Sequence, residues 1–299
     1  MLTDNYGRNV SSLRVQVNTT CNFGCFFCHM EGTGIQANEM STDQILRIIE
    51  TAHKLGRETM EKIRSLTIAV IGLGGTGSLS ADLFCRAGVR KLLLIDRDFV
   101  DITNMHRQIL FEESDVGKRK VDAAYERLSR INSDVSYESI FATFDAGNAL
   151  EITKKCDLVI DGTDNLTTRF IINDACNYNS VPWVFTSAVE TYGQVKLIIP
   201  GKSACFACFG PGKLVGYPTC EQVGVLSSVP NIISSLAFSE AVRMIADGNE
   251  GRFLYHIETW PPSIDKIEIL RNKDCRSCVR HEYDYLTEKY RDLGRTALI

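Results

Sequence analysis

The chain has 299 residues, 44% of them hydrophobic, and is long enough for one large α/β domain plus a smaller appendage. Its net charge of -4, without any dense Lys/Arg run, argues against nucleic-acid binding. It shows neither the apolar run of roughly 18 residues that a membrane span needs nor a secretory signal core. We therefore expect a cytoplasmic protein with no membrane partner, whose 11 cysteines serve metal binding or catalysis rather than disulfides.

Residues 1–57 are predicted to form a separate segment with a strand over 13–17, a cysteine-rich loop and an amphipathic helix from Ser41 to Gly56. Three cysteines of the loop, Cys21, Cys25 and Cys28, have the spacing that holds three irons of a [4Fe–4S] cluster and leaves the fourth open. The alternatives are another metal on the same thiolates, or a remnant of a longer domain that is used for docking.

This segment resembles the start of the MoaA family of radical S-adenosylmethionine enzymes. The resemblance lies in the cysteine spacing and in the flanking sequences Asp4-Asn-Tyr-Gly-Arg8 and His29-Met-Glu-Gly32. Enzymes of that family need a partial barrel of repeated βα units, of which this segment has one. They also need a Gly-Gly-Glu-type segment for the methionine end of the cofactor, which this segment lacks. We therefore expect a truncated relative without radical catalysis of its own.

A second domain is predicted over residues 58–299, after a charged stretch, 57–64, that is either a linker or a short docking helix. Apolar strands alternate there with helical periodicity, which is typical of a Rossmann-like, doubly wound, mostly parallel sheet of the α/β class. The predicted strands are 67–71, 91–95, 135–140, 158–161, 183–187 and 193–199, and the predicted helices are 77–87, 118–131 and 166–179. A long helix, 230–246, and a hairpin-like pair, 254–258 and 263–270, add a C-terminal antiparallel portion.

A glycine-rich loop, Gly72-Leu-Gly-Gly-Thr-Gly77, follows the first strand of this domain and opens a helix. Bare backbone N–H groups at a helix start can cradle phosphate. Asp96 ends the next strand 19 residues after Gly77, where dinucleotide-binding folds place the carboxylate that binds ribose. The loop glycines Gly72, Gly74, Gly75 and Gly77 and the carboxylate together predict a nucleotide site.

Further polar residues follow the strands at the carboxyl edge, where ligands bind in open α/β sheets. Taken singly, Arg107 is equally well explained by a surface salt bridge, and Asp164 by a helix N-cap. Taken as a set, they favour a triphosphate over an ordinary NAD site. The set consists of Asp96, Asp98, Asn104, Arg107, Gln108, Lys120, Asp164 and Asn165.

With these motifs, residues 61–281 resemble the MoeB/ThiF/HesA family of ubiquitin-activating-enzyme-like adenylyltransferases. The resemblance implies a homodimer that uses ATP to adenylate the C-terminal glycine of a ubiquitin-like sulfur carrier, for molybdopterin or thiamine biosynthesis. Gly75 would approach the phosphates, Asp96 would bind ribose, and Asp164 would ligate Mg²⁺ beside Asn165. The triphosphate would be held by Asn104, Arg107, Gln108 and Lys120.

Two Cys-x-x-Cys pairs in the second domain, Cys205 with Cys208 and Cys275 with Cys278, have the spacing that lets two thiolates chelate one tetrahedral ion. Together they predict one closed zinc site that clips the last segment of the chain onto the domain. An iron–sulfur cluster and redox dithiols are the alternatives. The four positions match the structural zinc ligands of the family that the chain resembles.

Cys220 belongs to neither pair and lies in a Gly/Pro-rich stretch, 210–224, that is predicted to be a loop. There an exposed thiol could act as a nucleophile, and family members can use a cysteine at this place for a covalent link to the carrier or to transferred sulfur. A packed, inert cysteine is the alternative. Cys85, Cys156 and Cys176 lie on apolar faces and are predicted to be core residues.

The chain departs from the family that it resembles before the second domain. In family members a first helix carries an arginine that reaches the partner subunit's ATP, whereas this chain has the cysteine-rich segment in that place. Arg57 or Arg64 is the candidate substitute. Three other functions stay open: an NAD-dependent oxidoreductase, a silent module in which the N-terminal cluster senses redox state, and adenylation of a small-molecule or peptide carboxylate.

Overall fold

A computed structural model describes residues 56–211 and 223–291. The loop with Cys21, Cys25 and Cys28, the helix expected from Ser41, and Cys220 lie outside these residues. Within them, one sheet contains β1 (Thr67–Ile71), β2 (Lys91–Asp96), β3 (Ser136–Phe141), β4 (Leu158–Asp161), β5 (Trp183–Val189), β6 (Tyr192–Ile198), β7 (Phe253–Thr259) and β8 (Pro262–Glu268).

The sheet has the strand order β3-β2-β1-β4-β5-β6-β7-β8. The strands from β3 to β5 are parallel, and each later strand pairs antiparallel with its neighbour. The order steps outward in both directions from β1, as in a doubly wound sheet. The predicted fold class, including the antiparallel C-terminal portion, is confirmed.

The helices between these strands are α1 (Arg57–Ser65), α2 (Gly75–Ala87), α3 (Lys120–Ile131), α4 (Ala149–Lys154), α5 (Leu166–Asn179), α6 (Phe206–Phe209) and α7 (Ser228–Asp247). The charged stretch 57–64 is thus helical rather than a linker. The sequence did not predict α4 and α6, because elements of six and four residues are too short to show helical periodicity. None of the helices in the described ranges is both long and apolar enough to cross a bilayer.

Alternating side chains of the parallel strands pack on opposite faces of the sheet. Ala69, Ile71, Leu93 and Ile95 join a buried cluster with residues of α4 and α5. On the other face, α2 packs beside α3 and α7. Because both faces are covered, β1, β2 and β4 are apolar throughout except at Lys91 and at the ends that carry Thr67, Asp96 and Asp161.

The chain divides into two units between Lys62 and Ile63. The described residues from Ile63 onward form one compact unit, which contains the whole sheet and the predicted nucleotide site.

Candidate functional site

A cleft of about 340 Å³ opens at the carboxyl edge of the parallel strands. The ends of β1, β2 and β4 contribute to it, as do the loops that follow them. Eleven of its lining residues were predicted as part of the nucleotide site, namely the loop glycines Gly72, Gly74 and Gly75 and all eight of the polar residues, Asp96, Asp98, Asn104, Arg107, Gln108, Lys120, Asp164 and Asn165. The structure therefore brings together every predicted residue of that site except Gly77.

Gly77 lies behind the loop, in the first turn of α2. A Cβ atom there would come within 1.9 Å of the Gly72 carbonyl oxygen, so no side chain fits between this turn and the end of β1. Gly72 itself has φ +84, a left-handed backbone that favours glycine. These two glycines let the helix start directly against the strand end, which aims the first N–H groups of α2 at the cleft.

The Asp96 carboxylate is held in place by the backbone. Its Oδ2 accepts a hydrogen bond from the Leu73 N–H at 2.6 Å, and its Oδ1 accepts one from the Asp98 N–H at 2.7 Å. Burial raises the pKa of Asp96, and the nearby Lys120 ammonium opposes this rise. Each carboxylate oxygen retains a further lone pair, so Asp96 can still accept hydrogen bonds from two vicinal ribose hydroxyls.

Lys120 is the first residue of α3 and is 5% exposed. Its Nζ lies 3.2 Å from Oδ2 of Asp98, whose side chain is half exposed. The ion pair with Asp98 thus holds a cationic side chain in the lining of the cleft.

Arg107 extends over the glycine loop. A Cβ atom on Gly75 would lie 3.7 Å from the Arg107 Cδ. The Arg107 guanidinium donates a hydrogen bond through Nη2 to Oδ1 of Asn104 at 2.5 Å. It forms no ion pair with a carboxylate of the described residues. The surface salt bridge that was the alternative explanation for Arg107 is therefore not observed, and its charge is available to a ligand.

Gln108 is 3% exposed and lines the cleft, yet its Oε1 has no hydrogen-bond partner among the described residues. Buried polar atoms are rarely left without a partner. Because the oxygen and nitrogen of an amide can exchange places by a flip, the same atom position can offer an N–H to an anion. A ligand bound in the cleft would supply the hydrogen bond that the Gln108 amide lacks.

The loop after β4 carries Asp164 and Asn165. Asn165 is the N-cap of α5, because its Oδ1 accepts a hydrogen bond from the Thr168 N–H at 3.1 Å. The capping role that was the alternative for Asp164 thus belongs to its neighbour. Asp164 is exposed, and its carboxylate makes no hydrogen bond or ion pair with the described part of the chain.

Arg169 also lines the cleft, although the sequence did not predict it as a site residue. Its Nε donates to Oδ2 of the fully buried Asp161, and its Nη2 donates to the carbonyl oxygens of Thr163 and Thr186. Arg169 thereby ties the loop after β4 to β5. Its position four residues after the N-cap was the only available sequence signal.

The two Cys-x-x-Cys pairs come together, as predicted. All four sulfur atoms lie within 4.8 Å of one another. Sulfur–sulfur distances are 3.8 Å for Cys205 and Cys208, 3.6 Å for Cys205 and Cys275, and 3.6 Å for Cys208 and Cys278. Zn–S bonds of about 2.3 Å in a tetrahedron imply a separation of about 3.8 Å. The four thiols therefore fit one tetrahedral ion.

Hydrogen bonds connect the second cysteine pair to α5. The Asn173 and Asn177 side chains donate to Oγ of Ser277, at 2.9 and 3.1 Å, and that hydroxyl donates to Asp174 at 2.6 Å. The Phe206 N–H donates to Oδ1 of Asn173 at 2.7 Å. Both cysteine pairs are thus attached to the helix whose first turn lines the cleft.

The remaining described cysteines are core residues, as predicted. Cys85 and Cys176 are fully buried, and Cys156 is 7% exposed. Burial raises the pKa of the Cys156 thiol to about 12 and that of Cys176 well above its usual value, so both stay protonated and unreactive.

Most of the chain matches a known protein family. Residues 46–277 match the ThiF family. The chain is 28% identical over 237 residues to the sulfur carrier protein ThiS adenylyltransferase of Bacillus subtilis, covering 78% of this chain and 70% of that protein. It is 30% identical over 235 residues to the sulfur carrier protein adenylyltransferase of Thermus thermophilus, covering 75% and 86%.

Among solved structures, E. coli MccB with ATP has a similar fold, with a TM-score of 0.65 and 22% identity over 74% of this chain and 68% of that one. The family match spans well over half of the sequence, and the named relatives are adenylyltransferases. The chain belongs to the ThiF family.

Proposed function

We propose that the chain transfers AMP from ATP to the C-terminal glycine carboxylate of a ubiquitin-like sulfur carrier protein and releases pyrophosphate. One observation carries the proposal: a single cleft joins the glycine loop, the ribose acceptor Asp96 and the two cations Arg107 and Lys120. The relatives from Bacillus subtilis and Thermus thermophilus are named for activity on sulfur carriers.

The residues present match what this reaction needs. A carboxylate that attacks the α-phosphorus is already ionised near neutral pH, so no general base is required. The phosphate charges must be offset, and the attacking and leaving oxygens must be placed in line. Arg107 and Lys120 offset charge, the N–H groups at the start of α2 orient the phosphates, and Asp96 fixes the ribose. Asn104 and Gln108 add neutral hydrogen bonds.

Asp164 is the proposed ligand of Mg²⁺. Its carboxylate is exposed to the cleft and has no partner in the described residues, which suits an oxygen-ligated cation. Mg²⁺ bound there would supply charge neutralisation for the leaving pyrophosphate.

Zinc is the proposed ion for the four cysteines Cys205, Cys208, Cys275 and Cys278, since the sulfur–sulfur distances suit a tetrahedral thiolate site. With four protein ligands it has no open position, so we assign it a structural role. It would fix the segment after β8 against α5 through the Ser277 contacts.

A homodimer is the proposed assembly, with an arginine of one subunit reaching the ATP of the other. Arg64, exposed at the end of α1, and Arg57 remain the candidates for that role. Support comes from apolar side chains beside the cleft: Ile102 and Ile109, on the loop that carries Asn104 and Arg107, are 55% and 42% exposed. A second subunit that covers them would reach the mouth of the cleft.

Cys220 is the proposed nucleophile of a later step, in which its thiolate either attacks the adenylated carrier C-terminus, forming a thioester and releasing AMP, or takes a sulfane sulfur from a persulfide donor, whose thiolate leaves. For the N-terminal cysteines Cys21, Cys25 and Cys28 the proposed role is binding of an iron–sulfur cluster or another metal, with a docking remnant as the alternative. Both proposals rest on sequence alone. Cys220→Ala should leave adenylation intact and remove only the covalent product, which non-reducing electrophoresis with the carrier would reveal.

The proposed function is tested by incubating the chain with Mg-ATP and a carrier ending in Gly-Gly, followed by intact-mass measurement of the carrier. The expected product is a carrier heavier by one AMP group, which hydroxylamine removes. A carrier without its terminal glycine is the matched control. Absence of the adduct with every Gly-Gly-ended carrier, together with its appearance on a small carboxylate or peptide, would contradict the proposal.

A further inference from the structure

Lys196 is a completely buried lysine in the middle of β6. None of its surface is exposed to solvent. Its Nζ donates one hydrogen bond, to the carbonyl oxygen of Gly251 at 2.6 Å, and forms no ion pair with a carboxylate in the described part of the chain. Buried ammonium groups normally have an anionic partner, because removal of an unpaired charge from water is costly. The anion that accompanies Lys196 therefore has to be found elsewhere.

The four-cysteine cluster is a source of negative charge that acts on Lys196. Nζ of Lys196 lies 5.9 Å from the ring centroid of Phe209, the residue after Cys208. Burial lowers the pKa of Lys196 to about 8, and the Cys208 sulfur opposes this most, ahead of Glu240 and Cys205. Glu240 is already engaged, since its carboxylate accepts hydrogen bonds from Arg243 at 2.5 Å and Asn249 at 2.8 Å.

Arg271 is a second cation at the cluster, and it is exposed to solvent. Arg271 donates through Nη2 to the carbonyl oxygen of Cys278 at 2.5 Å and through Nη1 to that of Gly201 at 2.9 Å. Hydrogen bonding to the Cys278 side chain raises the pKa of Arg271. An exposed cation, Arg271, therefore contacts one residue of the cluster, and a buried cation, Lys196, lies close to the residue after another.

A charge count links these observations. Four thiolates around one divalent ion carry a net charge of about -2. Two cations beside the cluster balance that charge, and outer-shell partners of metal sites generally tune the affinity of the ligands. We propose that Lys196, with Arg271, is the counter-cation of the metal–thiolate centre, so that the bound metal and the buried lysine stabilise each other.

This inference rests on the proposed metal site, and it assigns to Lys196 a role that ordinary packing would not. If Lys196 only filled space, its loss would destabilise the metal-free and the metal-bound protein alike. If it balances the centre, the metal-free protein holds a buried cation with no counter-ion. Replacement by an apolar side chain of similar length then relieves the metal-free form and weakens metal binding.

The test compares Lys196→Met with Lys202→Met, the same change at an exposed lysine that follows β6. Zinc affinity is measured by competition with a chromophoric chelator, and stability by urea unfolding with and without zinc. We expect Lys196→Met to weaken zinc binding about 10- to 100-fold. It should leave the urea midpoint of the metal-free protein unchanged or raised, and Lys202→Met should change neither quantity.

Two further variants keep the test decisive if Lys196→Met does not fold. Arg271→Met, at an exposed position, should also weaken zinc binding, and Lys196→Arg, which keeps the charge, should retain it. Zinc affinity within twofold of wild type in Lys196→Met, or in Arg271→Met where that variant stands in, would overturn the inference. So would equal destabilisation of the two forms by Lys196→Met. A wild-type chain that binds no metal would overturn the metal site together with the inference.

Discussion

Nε of Arg169 donates a hydrogen bond to Oδ2 of Asp161 over 3.1 Å at the carboxyl end of β4. Asp161 is completely buried, and Arg169 is its cationic partner in the described structure. The same guanidinium holds the carbonyl oxygens of Thr163 and Thr186. The loop that presents Asp164 to the cleft is therefore positioned by an ion pair beneath it.

Loss of Arg169 should destabilise the fold as well as the loop. Arg169→Met leaves the Asp161 carboxylate buried and unpaired, which typically costs about 3–5 kcal/mol. Urea unfolding would measure the loss, and adding Asp161→Asn should recover part of it. Ordinary surface substitutions change the free energy of unfolding by up to about 0.5 kcal/mol. A change no larger than this in Arg169→Met would show that the pair does not stabilise the loop.

Loss of either cation in the cleft should slow adenylation without unfolding the chain. Arg107→Ala and Lys120→Ala are each expected to lower the rate of pyrophosphate exchange about 10²- to 10³-fold, the usual effect of removing one preorganised group that stabilises transition-state charge. Arg127→Ala is the matched control, because Arg127 is half-buried and paired with the exposed Glu112 away from the cleft. Near-normal exchange in Arg107→Ala would remove that residue from the proposed mechanism.

Replacement of the Asp164 carboxylate should weaken magnesium binding without changing the stability of the fold. Asp164→Asn removes no contact with the described residues, so we expect the urea midpoint to stay within about 0.5 kcal/mol of wild type. The magnesium concentration for half-maximal exchange should rise at least tenfold. An unchanged magnesium dependence would mean that the ion is held by other groups.

Nucleotide affinity should fall on acidification through protonation of Asp96. Burial raises the pKa of this carboxyl above its usual value, so the accepting carboxylate form is lost at a higher pH than for an exposed aspartate. The measurement is the ratio of wild-type to Asp96→Asn affinity for ATP from pH 8 to pH 5, in which the titration of ATP itself cancels. The ratio should decrease towards acid; a ratio that stays flat would contradict a ribose contact by the ionised carboxylate.

The sequence predicted best the parts whose determinants are close together along the chain. The apolar strands β1, β2 and β4 and the glycine loop carry local patterns, and Asp96 follows at a fixed spacing, so both the sheet and the cleft edge could be predicted. The two cysteine pairs were recognisable because each is a chelating unit by itself.

Contacts between different elements of the fold could not be predicted from the sequence. Arg169 acquires its role from Asp161 at the end of β4, eight residues earlier, and from Thr186 on β5, 17 residues later, and no local sequence pattern joins these three residues. Lys196 lies in a strand where a lysine is normally expected to face solvent. Its burial depends on Phe209 and on Gly251, which is 55 residues away.

We propose that one cleft brings ATP and a protein C-terminus together for transfer of AMP. The measurement that tests this proposal is ATP–pyrophosphate exchange by the purified full chain with Mg²⁺ and a Gly-Gly-ended ubiquitin-like carrier. We predict exchange that depends on the carrier, disappears when its terminal glycine is removed and is lost in Arg107→Ala. Exchange that is absent with every such carrier, while ATP still binds, would contradict the claim.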